Sequence, residues 1–313
     1  VGTVFETVKE DAATPLTRIA AQAAKQVIYQ KVKEAERELV WREYGDRIGD
    51  LLTGQVKRFD RGDMIVDLGR TEAVIPRREQ SRAEHYNPGD RIRAVLVNVE
   101  RQGKGPQLTL SRASEMLVRK LFEMEVPEIY DGTVSIVSVA RDAGERSKVA
   151  VRSKERDVDP VGACVGMKGS RVQAVIRELR GEKIDIVQHD DDTAQYVRSA
   201  LSPATINRVT VRDYENREME VIVSEDQLSL AIGKRGQNVR LATKLVGWRL
   251  DIKSEAEKKA EIEAEMERMA AASREMSSLP GVGQAVASRL LDAGFRSIEE
   301  ILLASLEDLT SIE

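Results

Sequence analysis

The chain has 313 residues, of which 33% are charged and only 4% aromatic, with a net charge of −4 at pH 7. That length exceeds what one core usually organises, so two to four domains with aliphatic interiors are expected. A membrane span is excluded because no apolar run approaches the ~18 residues one needs, and no charged start with an apolar centre marks a signal peptide. The single cysteine, Cys164, excludes an internal disulfide and suits a cytoplasmic setting. With only two histidines beside it, no zinc ligand set can be assembled, and no other metal or cofactor is expected. The acidic balance means that any footprint for a polyanion must be local. The sequence starts at Val1 and stops at Glu313 in mid-pattern, so a piece of a longer protein is expected.

Residues 1–9 set Val4, Glu6 and Val8 against Thr3, Phe5 and Thr7, which predicts an edge strand. Thr14-Pro15 is a helix start, a capping hydroxyl followed by proline in the first turn. A long connector helix is predicted from there to about Tyr44. Ile19, Ala23, Val27, Ile28, Val32, Ala35 and Leu39 share one face, expected to be buried, with Lys25, Lys33, Glu36 and Arg37 opposite.

Between Asp50 and Arg112 the pattern changes to short strands: Leu52 to Phe59, Met64 to Leu68, Thr71 to Ile75, Arg91 to Val99 and Gln107 to Leu110. The turns Gly62-Asp63 and Asn87-Pro88-Gly89-Asp90 punctuate them. Five such strands predict a small closed barrel of the OB type. Lys57, Arg58, Arg61, Arg77, Arg78 and Arg82 gather at its turns as a candidate RNA-facing set. Through Gly54-Gln55-Val56, Val66-Asp67-Leu68-Gly69, Pro88-Gly89-Asp90 and Leu108-Thr109-Leu110-Ser111-Arg112, the segment resembles the S-one-type RNA-binding barrel. Arg61 and Met64 stand where that family usually has aromatics, and Pro76 where it has a histidine. With few rings to stack bases, this barrel is expected to contact phosphates more than to read bases.

A helix from Ala113 is expected to end at Pro127. Strands follow at Gly132 to Val139 and Lys148 to Val151, joined by a polar turn from Arg141 to Arg146. Pro160 to Val165 then reads as a helix, Gly166-Met167-Lys168-Gly169 as a loop, Ser170 to Leu179 as a helix and Lys183 to Val187 as a strand. Asp190-Asp191-Asp192 caps a new helix to about Leu201, and the order returns: strands Thr205 to Val211 and Met219 to Val223, helix Gln227 to Ile232, loop Gly233-Lys234-Arg235-Gly236, helix Gln237 to Val246, strand Trp248 to Ile252. Ser224 with Gln227 predicts a capping box. Val172, Val175, Ile176 and Leu179 mark the inward face of one post-loop helix, and Val239, Ala242 and Val246 that of the other. Each copy reads αββααβ and resembles the KH fold in its bacterial arrangement.

A loop with glycine at both ends lets backbone N–H groups approach a phosphodiester, and the repeat makes two tight turns with idle cations a poor alternative. Lys168, Lys234 and Arg235 are placed to meet phosphates, and Met167 to pack on a ribose or base. Arg171, Gln173 and Arg177 in the first copy, and Gln237, Asn238, Arg240 and Lys244 in the second, are expected to face a splayed single strand. The second loop, with two cations, is expected to be the stronger clamp. With almost no linker between them, the copies are expected to pack as one rigid unit with a continuous track.

From Glu255 to Met276, Ala, Glu, Lys and Met with alternating charge predict a solvated linker helix. Leu279-Pro280-Gly281-Val282-Gly283 resembles a helix-hairpin-helix turn, and Leu306 to Ile312 the approach to a second. Glu299, Glu300, Glu307, Asp308 and Glu313 outnumber Arg289 and Arg296 there, which favours a protein contact over DNA. No catalytic constellation emerges. Gly166-Met167-Lys168-Gly169-Ser170 is too short for a Walker loop, His85 and His189 lack a nucleophile partner, the aspartate triplet caps a helix, and Cys164 is a small core residue.

The expected architecture is therefore multidomain α+β: the end of an N-terminal domain with its connector helix (1–49), an OB-type barrel (50–112), two tandem KH domains (113–189 and 190–254), a charged linker helix (255–277) and a partial all-α helix-hairpin-helix domain (278–313). This order resembles the NusA family of bacterial transcription factors. The most specific stretches are Ile19 to Ile28, Arg37-Glu38, Asp159 to Gly166 and Ala231 to Ala242. The resemblance implies binding to RNA polymerase through the N-terminal domain and to nascent single-stranded RNA through the barrel and KH domains. It also implies action on pausing, intrinsic termination and antitermination, with other transcription factors meeting the C-terminal region. A non-enzymatic monomer without membrane contact is expected. The alternative is an RNA-binding accessory factor of RNA degradation or ribosome function.

Overall fold

The structure, a computed structural model, describes residues 15–101, 107–305 and 309. The strand expected at residues 1–9 lies outside the described residues, as does all of the second hairpin approach except Leu309. The chain forms two compact units, Val1–Ile186 and Val187–Glu313. Among the described residues no helix is long and apolar enough to cross a membrane.

In the first unit, α1 (Pro15–Tyr44) leads to a closed barrel of β1 (Leu51–Asp60), β2 (Asp63–Asp67), β3 (Glu72–Ile75), β4 (Arg91–Val99) and β5 (Leu108–Ser111). Strand order is β1-β2-β3-β5-β4, closed by a parallel β3–β5 pair with Ala73 opposite Leu108. Closure demands Gly54: a Cβ there would lie 2.5 Å from Val66 Cγ1 and 2.7 Å from the Asp67 carbonyl, where the strands cross tightly. Val56, Val66, Ile75, Leu96 and Leu110 fill the interior.

The connector helix corrects one expectation. Its apolar face is exposed, with Ile19, Val27, Ile28, Val32 and Leu39 each at least half accessible. Only the C-terminal turns reach the barrel, where Tyr44 is buried and Val40 and Trp41 pack on the core. Gln107 Nε2 fixes that end by donating to the Arg37 carbonyl at 2.8 Å.

The barrel continues into α2 (Glu115–Glu125), which buries Leu117, Val118, Leu121 and Phe122. Pro127 does not simply end it: proline's fixed φ suits a first turn, and it opens a short α3 (Pro127–Tyr130). Then come β6 (Val134–Asp142), β7 (Arg146–Ser153), α4 (Pro160–Val165), α5 (Ser170–Glu178) and β8 (Lys183–Gln188), with sheet order β6-β7-β8. The polar stretch expected as a turn does turn at Ala143-Gly144-Glu145, while Arg141, Asp142 and Arg146 belong to the flanking strands. Arg141 is paired there with Glu182 at 2.8 Å, both side chains essentially inaccessible, and Glu182 also accepts from the Gly144 N–H and the Ser147 hydroxyl. Lys148, wholly buried, reaches Asp185 at 3.2 Å. A second buried network joins barrel to α5: Arg112 Nε donates to Glu84 at 2.8 Å, and its Nη atoms to the Arg93 and Glu178 carbonyls.

The second unit holds α6 (Thr193–Ala200), β9 (Arg208–Asp213), β10 (Glu218–Val223), α7 (Glu225–Ile232), α8 (Gln237–Val246) and β11 (Arg249–Ser254). Its sheet runs β11-β10-β9, with β10 parallel to β11 and antiparallel to β9. The capping box expected at Ser224 does not form, because Gln227 Oε1 accepts instead from the Thr205 N–H at 3.1 Å. A box does form where none was expected, between Ser254 and Glu257 at the start of α9 (Glu255–Ser277). That helix is not a free linker at its beginning: Lys258 reaches the buried Glu220 at 2.9 Å, and Glu261 reaches Lys253 at 2.7 Å. Its end contributes Met276 to a small core with Ala287 and Leu290 of α10 (Gln284–Asp292) and Ile301 of α11 (Ile298–Leu303).

Candidate nucleic-acid interface

The two Gly-x-x-Gly loops have the same backbone. Gly166 sits at φ 71°, ψ 175° and Gly233 at 74°, 171°; Gly169 is at 77°, 13° and Gly236 at 72°, 16°. Between them, Lys168 (φ 51°, ψ 28°) and Arg235 (54°, 30°) take the left-handed conformation. A non-glycine residue there costs about 1–2 kcal/mol, and such strain persists only where the surroundings enforce it. Each loop is closed by one bond, from the N–H of the second glycine to the carbonyl of the first, at 3.1 Å in both copies.

The loops open directly into α5 and α8, whose starting residues, Gly169 and Gly236, offer no capping side chain. The first N–H of each helix turns back into the loop, Ser170 donating to the Met167 carbonyl and Gln237 to the Lys234 carbonyl, and the positive end of the helix dipole faces the loop. Lys168, Lys234 and Arg235 are exposed around these ends, and Met167 is 89% accessible, an unusual position for so apolar a side chain. That combination of positive helix ends, cations and one apolar surface suits a sugar–phosphate backbone.

Arg171 and Asn238 prove to be equivalent braces, each five residues after the first glycine of its loop. Arg171 Nη1 donates to the Ala163 carbonyl at 2.6 Å and to Glu128 at 2.8 Å, and its Cγ would lie 2.7 Å from a Cβ on Gly166. Asn238 Nδ2 donates to the Ala231 carbonyl at 3.1 Å and the Leu201 carbonyl at 3.0 Å, and its Cβ would lie 2.8 Å from one on Gly233. This corrects the expectation that Asn238 faces a strand: it is 2% exposed, because its amide is drawn in by the Ala231 carbonyl at the end of α7 and the Leu201 carbonyl after α6, the latter shared with the Ala204 N–H. Arg171 is likewise engaged inward, whereas Gln173, Arg177, Arg240 and Lys244 are exposed. A shared offset from the glycine was the available signal.

The barrel's basic residues divide into two groups. Lys57 and Arg58 converge on Glu72, at 2.8 Å and through a two-pronged pair at 3.0 and 3.1 Å. Hydrogen bonds from Arg58 and then Lys57 hold the Glu72 carboxyl down to about 2. These two cations are therefore largely compensated, which corrects their expected place in a phosphate-facing set. The sequence hint was Glu72 on β3, one strand beyond β2 from them. Arg77, Arg78 and Arg82, by contrast, line a depression with Ser81 and His85. Arg61 is exposed at the β1–β2 turn with φ 51° beside Gly62, whose backbone lies near the Arg77 side chain. Glu84 also borders the depression, but its carboxylate is taken by Arg112. Cys164 is buried beside the first loop, and burial pushes its thiol up to about 12, so it offers no nucleophile. Among the described residues no cluster of side chains could hold a metal ion.

Family models match almost the whole chain. They are a NusA N-terminal domain over residues 2–38, an S1 RNA binding domain over 46–111, a NusA-like first KH domain over 112–189, a NusA-like second KH domain over 193–260 and a SAM-like helix-hairpin-helix tandem over 273–313. Three relatives each named transcription termination/antitermination protein NusA are similar to it. That of Halalkalibacterium halodurans is 55% identical over 77% of this chain and 63% of its own length. That of Rickettsia prowazekii is 44% identical over 95% of this chain and 59% of its own length. For Mycobacterium bovis the figures are 49%, 76% and 71%. The chain thus spans less than two thirds of the first two relatives.

Proposed function

The chain belongs to the NusA family, and on that footing we propose that it binds nascent single-stranded RNA and RNA polymerase to modulate pausing, termination and antitermination in the cytoplasm. The observation that carries the RNA half is the pair of loops with matching dihedrals, each opening an uncapped helix and each braced from behind. In this reading a phosphate sits against the positive end of α5 or α8, and Lys168 or Arg235 neutralises it. Being already set, the loops lose little freedom on binding, so the charge contacts are not offset by ordering. Arg61, Arg77, Arg78 and Arg82 extend the phosphate contacts on the barrel. A strand held this way near the polymerase exit is kept from pairing with itself, which is how such a factor biases hairpin formation. The acidic helix-hairpin-helix region serves protein contacts.

The test is binding of labelled single-stranded RNA as a function of salt. Lys234→Asp with Arg235→Asp should weaken binding at least tenfold, and removing two phosphate contacts should flatten the salt slope by about 1.4. Unchanged affinity and slope would sink the reading. The same RNA recovered intact after incubation separates this role from degradation.

A further inference from the structure

The second unit carries an aromatic pair that phosphate clamping leaves unused. Tyr214, 77% exposed at the tip of the β9–β10 hairpin, meets the half-buried Trp248 edge to face, with ring centroids 6.0 Å apart and planes at 81°. The tip is fixed in advance. Asp213 accepts from the Glu215 N–H at 2.8 Å, the Asn216 N–H at 3.1 Å and the Asn216 amide at 2.7 Å. The Arg249 N–H donates to the Arg217 carbonyl at 2.8 Å, which ties the hairpin to the residue beside Trp248.

The position of these rings relative to the second loop gives them a use. The loop opens the N-terminal end of α8, and Gly247, left-handed at φ 76°, turns the chain from the other end straight into Trp248. Along the helix, Gln237, Arg240 and Lys244 follow the loop at i, i+3 and i+7, so they share a face. Ten residues of α8 span about 15 Å, a short reach for an extended nucleic-acid strand. Asp213 is spent on the turn, and Glu218 is met by Arg249, the residue after Trp248, at 3.1 Å.

We propose that Tyr214 and Trp248 form a ledge on which a base of single-stranded RNA stacks, on the same strand whose phosphates the second loop holds. The proposal rests on the RNA-binding reading above. Cations running from loop to rings, and rings fixed before any ligand arrives, are the two components from which sequence-tolerant single-strand sites are built.

The test uses the whole chain and labelled single-stranded RNA of about eight nucleotides, inside the site size of one such module. Tyr214→Ala should weaken binding about fivefold or more, the loss of one stacked base, and Tyr214→Phe should restore it. RNA should quench tryptophan emission in the parent and not in Trp248→Phe. One abasic position scanned along the RNA should, at a single site, weaken the parent and leave Tyr214→Ala unaffected. If Tyr214→Ala binds like the parent while the Lys234→Asp, Arg235→Asp variant does not, the ledge is wrong and RNA binding stands. If neither variant changes binding, RNA binding itself fails and takes the ledge with it. Weaker binding by Tyr214→Ala that no abasic position equalises overturns stacking.

Discussion

Alanine at the two glycines of the second loop should have sharply different effects, although both glycines have positive φ. At Gly236 (φ 72°, ψ 16°) an added Cβ has only Val239 Cγ1 near it, at 3.9 Å. Gly236→Ala therefore meets the left-handed penalty alone, about 1–2 kcal/mol. At Gly233 (φ 74°, ψ 171°) the backbone lies in a region open essentially to glycine, and occupying it costs about 1–3 kcal/mol. The Cβ would also sit 2.8 Å from Asn238 Cβ and 2.9 Å from the Asn238 backbone nitrogen. Neither atom is the end of a flexible chain, so α8 must shift, at about 1–3 kcal/mol more. The difference should come to about 2 kcal/mol, a factor of about 30 in the local opening equilibrium. Hydrogen exchange of peptides covering α7 and α8 reads that opening directly. Gly233→Ala should speed exchange there far more than Gly236→Ala, with the α9–α11 region unchanged. Equal acceleration by the two variants would refute the argument that Asn238 presses on the first glycine.

Asn238→Ala removes the side-chain donor from the Ala231 carbonyl and one of two donors from the Leu201 carbonyl, so it should destabilise the second unit by about 1–3 kcal/mol in denaturant melts and weaken RNA binding with the salt slope kept. Glu182→Gln strands the buried Arg141 guanidinium and should cost about 3–5 kcal/mol, seen as early unfolding of the first unit while the second melts as before. Glu72→Gln frees Lys57 and Arg58 and should tighten RNA binding at low salt, with a steeper salt dependence in titrations. In the parent, the Glu72 carboxyl has a folded value of about 2 against 4.5 ordinarily. Its support of the barrel is therefore complete above about 4.5 and drains as pH falls toward 2; acid titration of Glu72→Gln should lack that component. At neutral pH, Cys164 should resist maleimide until the chain is unfolded, since burial keeps the thiol protonated.

Where the sequence was easy to read, periodicity and backbone chemistry pointed the same way. The barrel's five strands and both αββααβ copies follow from alternation, turn residues and the paired glycines, because those signals are local. Long-range pairing was not visible. Nothing in Arg141-Asp142-Ala143-Gly144-Glu145-Arg146 announces that its first arginine is buried on Glu182, so the turn was drawn wider than its three residues Ala143-Gly144-Glu145. Lys57 and Arg58 counted as free cations until β3 brought Glu72 across to them. Asn238 carried the composition of a base-reading residue and the burial of a core one; only its bonds to the Ala231 and Leu201 carbonyls explain which prevailed. The face of α1 failed for the opposite reason: its pattern called for a partner, and the barrel packs against its last turns alone.

The left-handed Lys168 and Arg235 have a consequence for rates. A loop already holding its strained geometry needs no rearrangement after a strand arrives, so capture should run at the pace of charge-steered collision. Selectivity among RNAs is then expressed in how long each stays rather than how fast it enters. In the role proposed above, where the ligand lengthens while it is held, short dwell times would let each clamp release one phosphate and take the next, so that the grip would keep pace with synthesis.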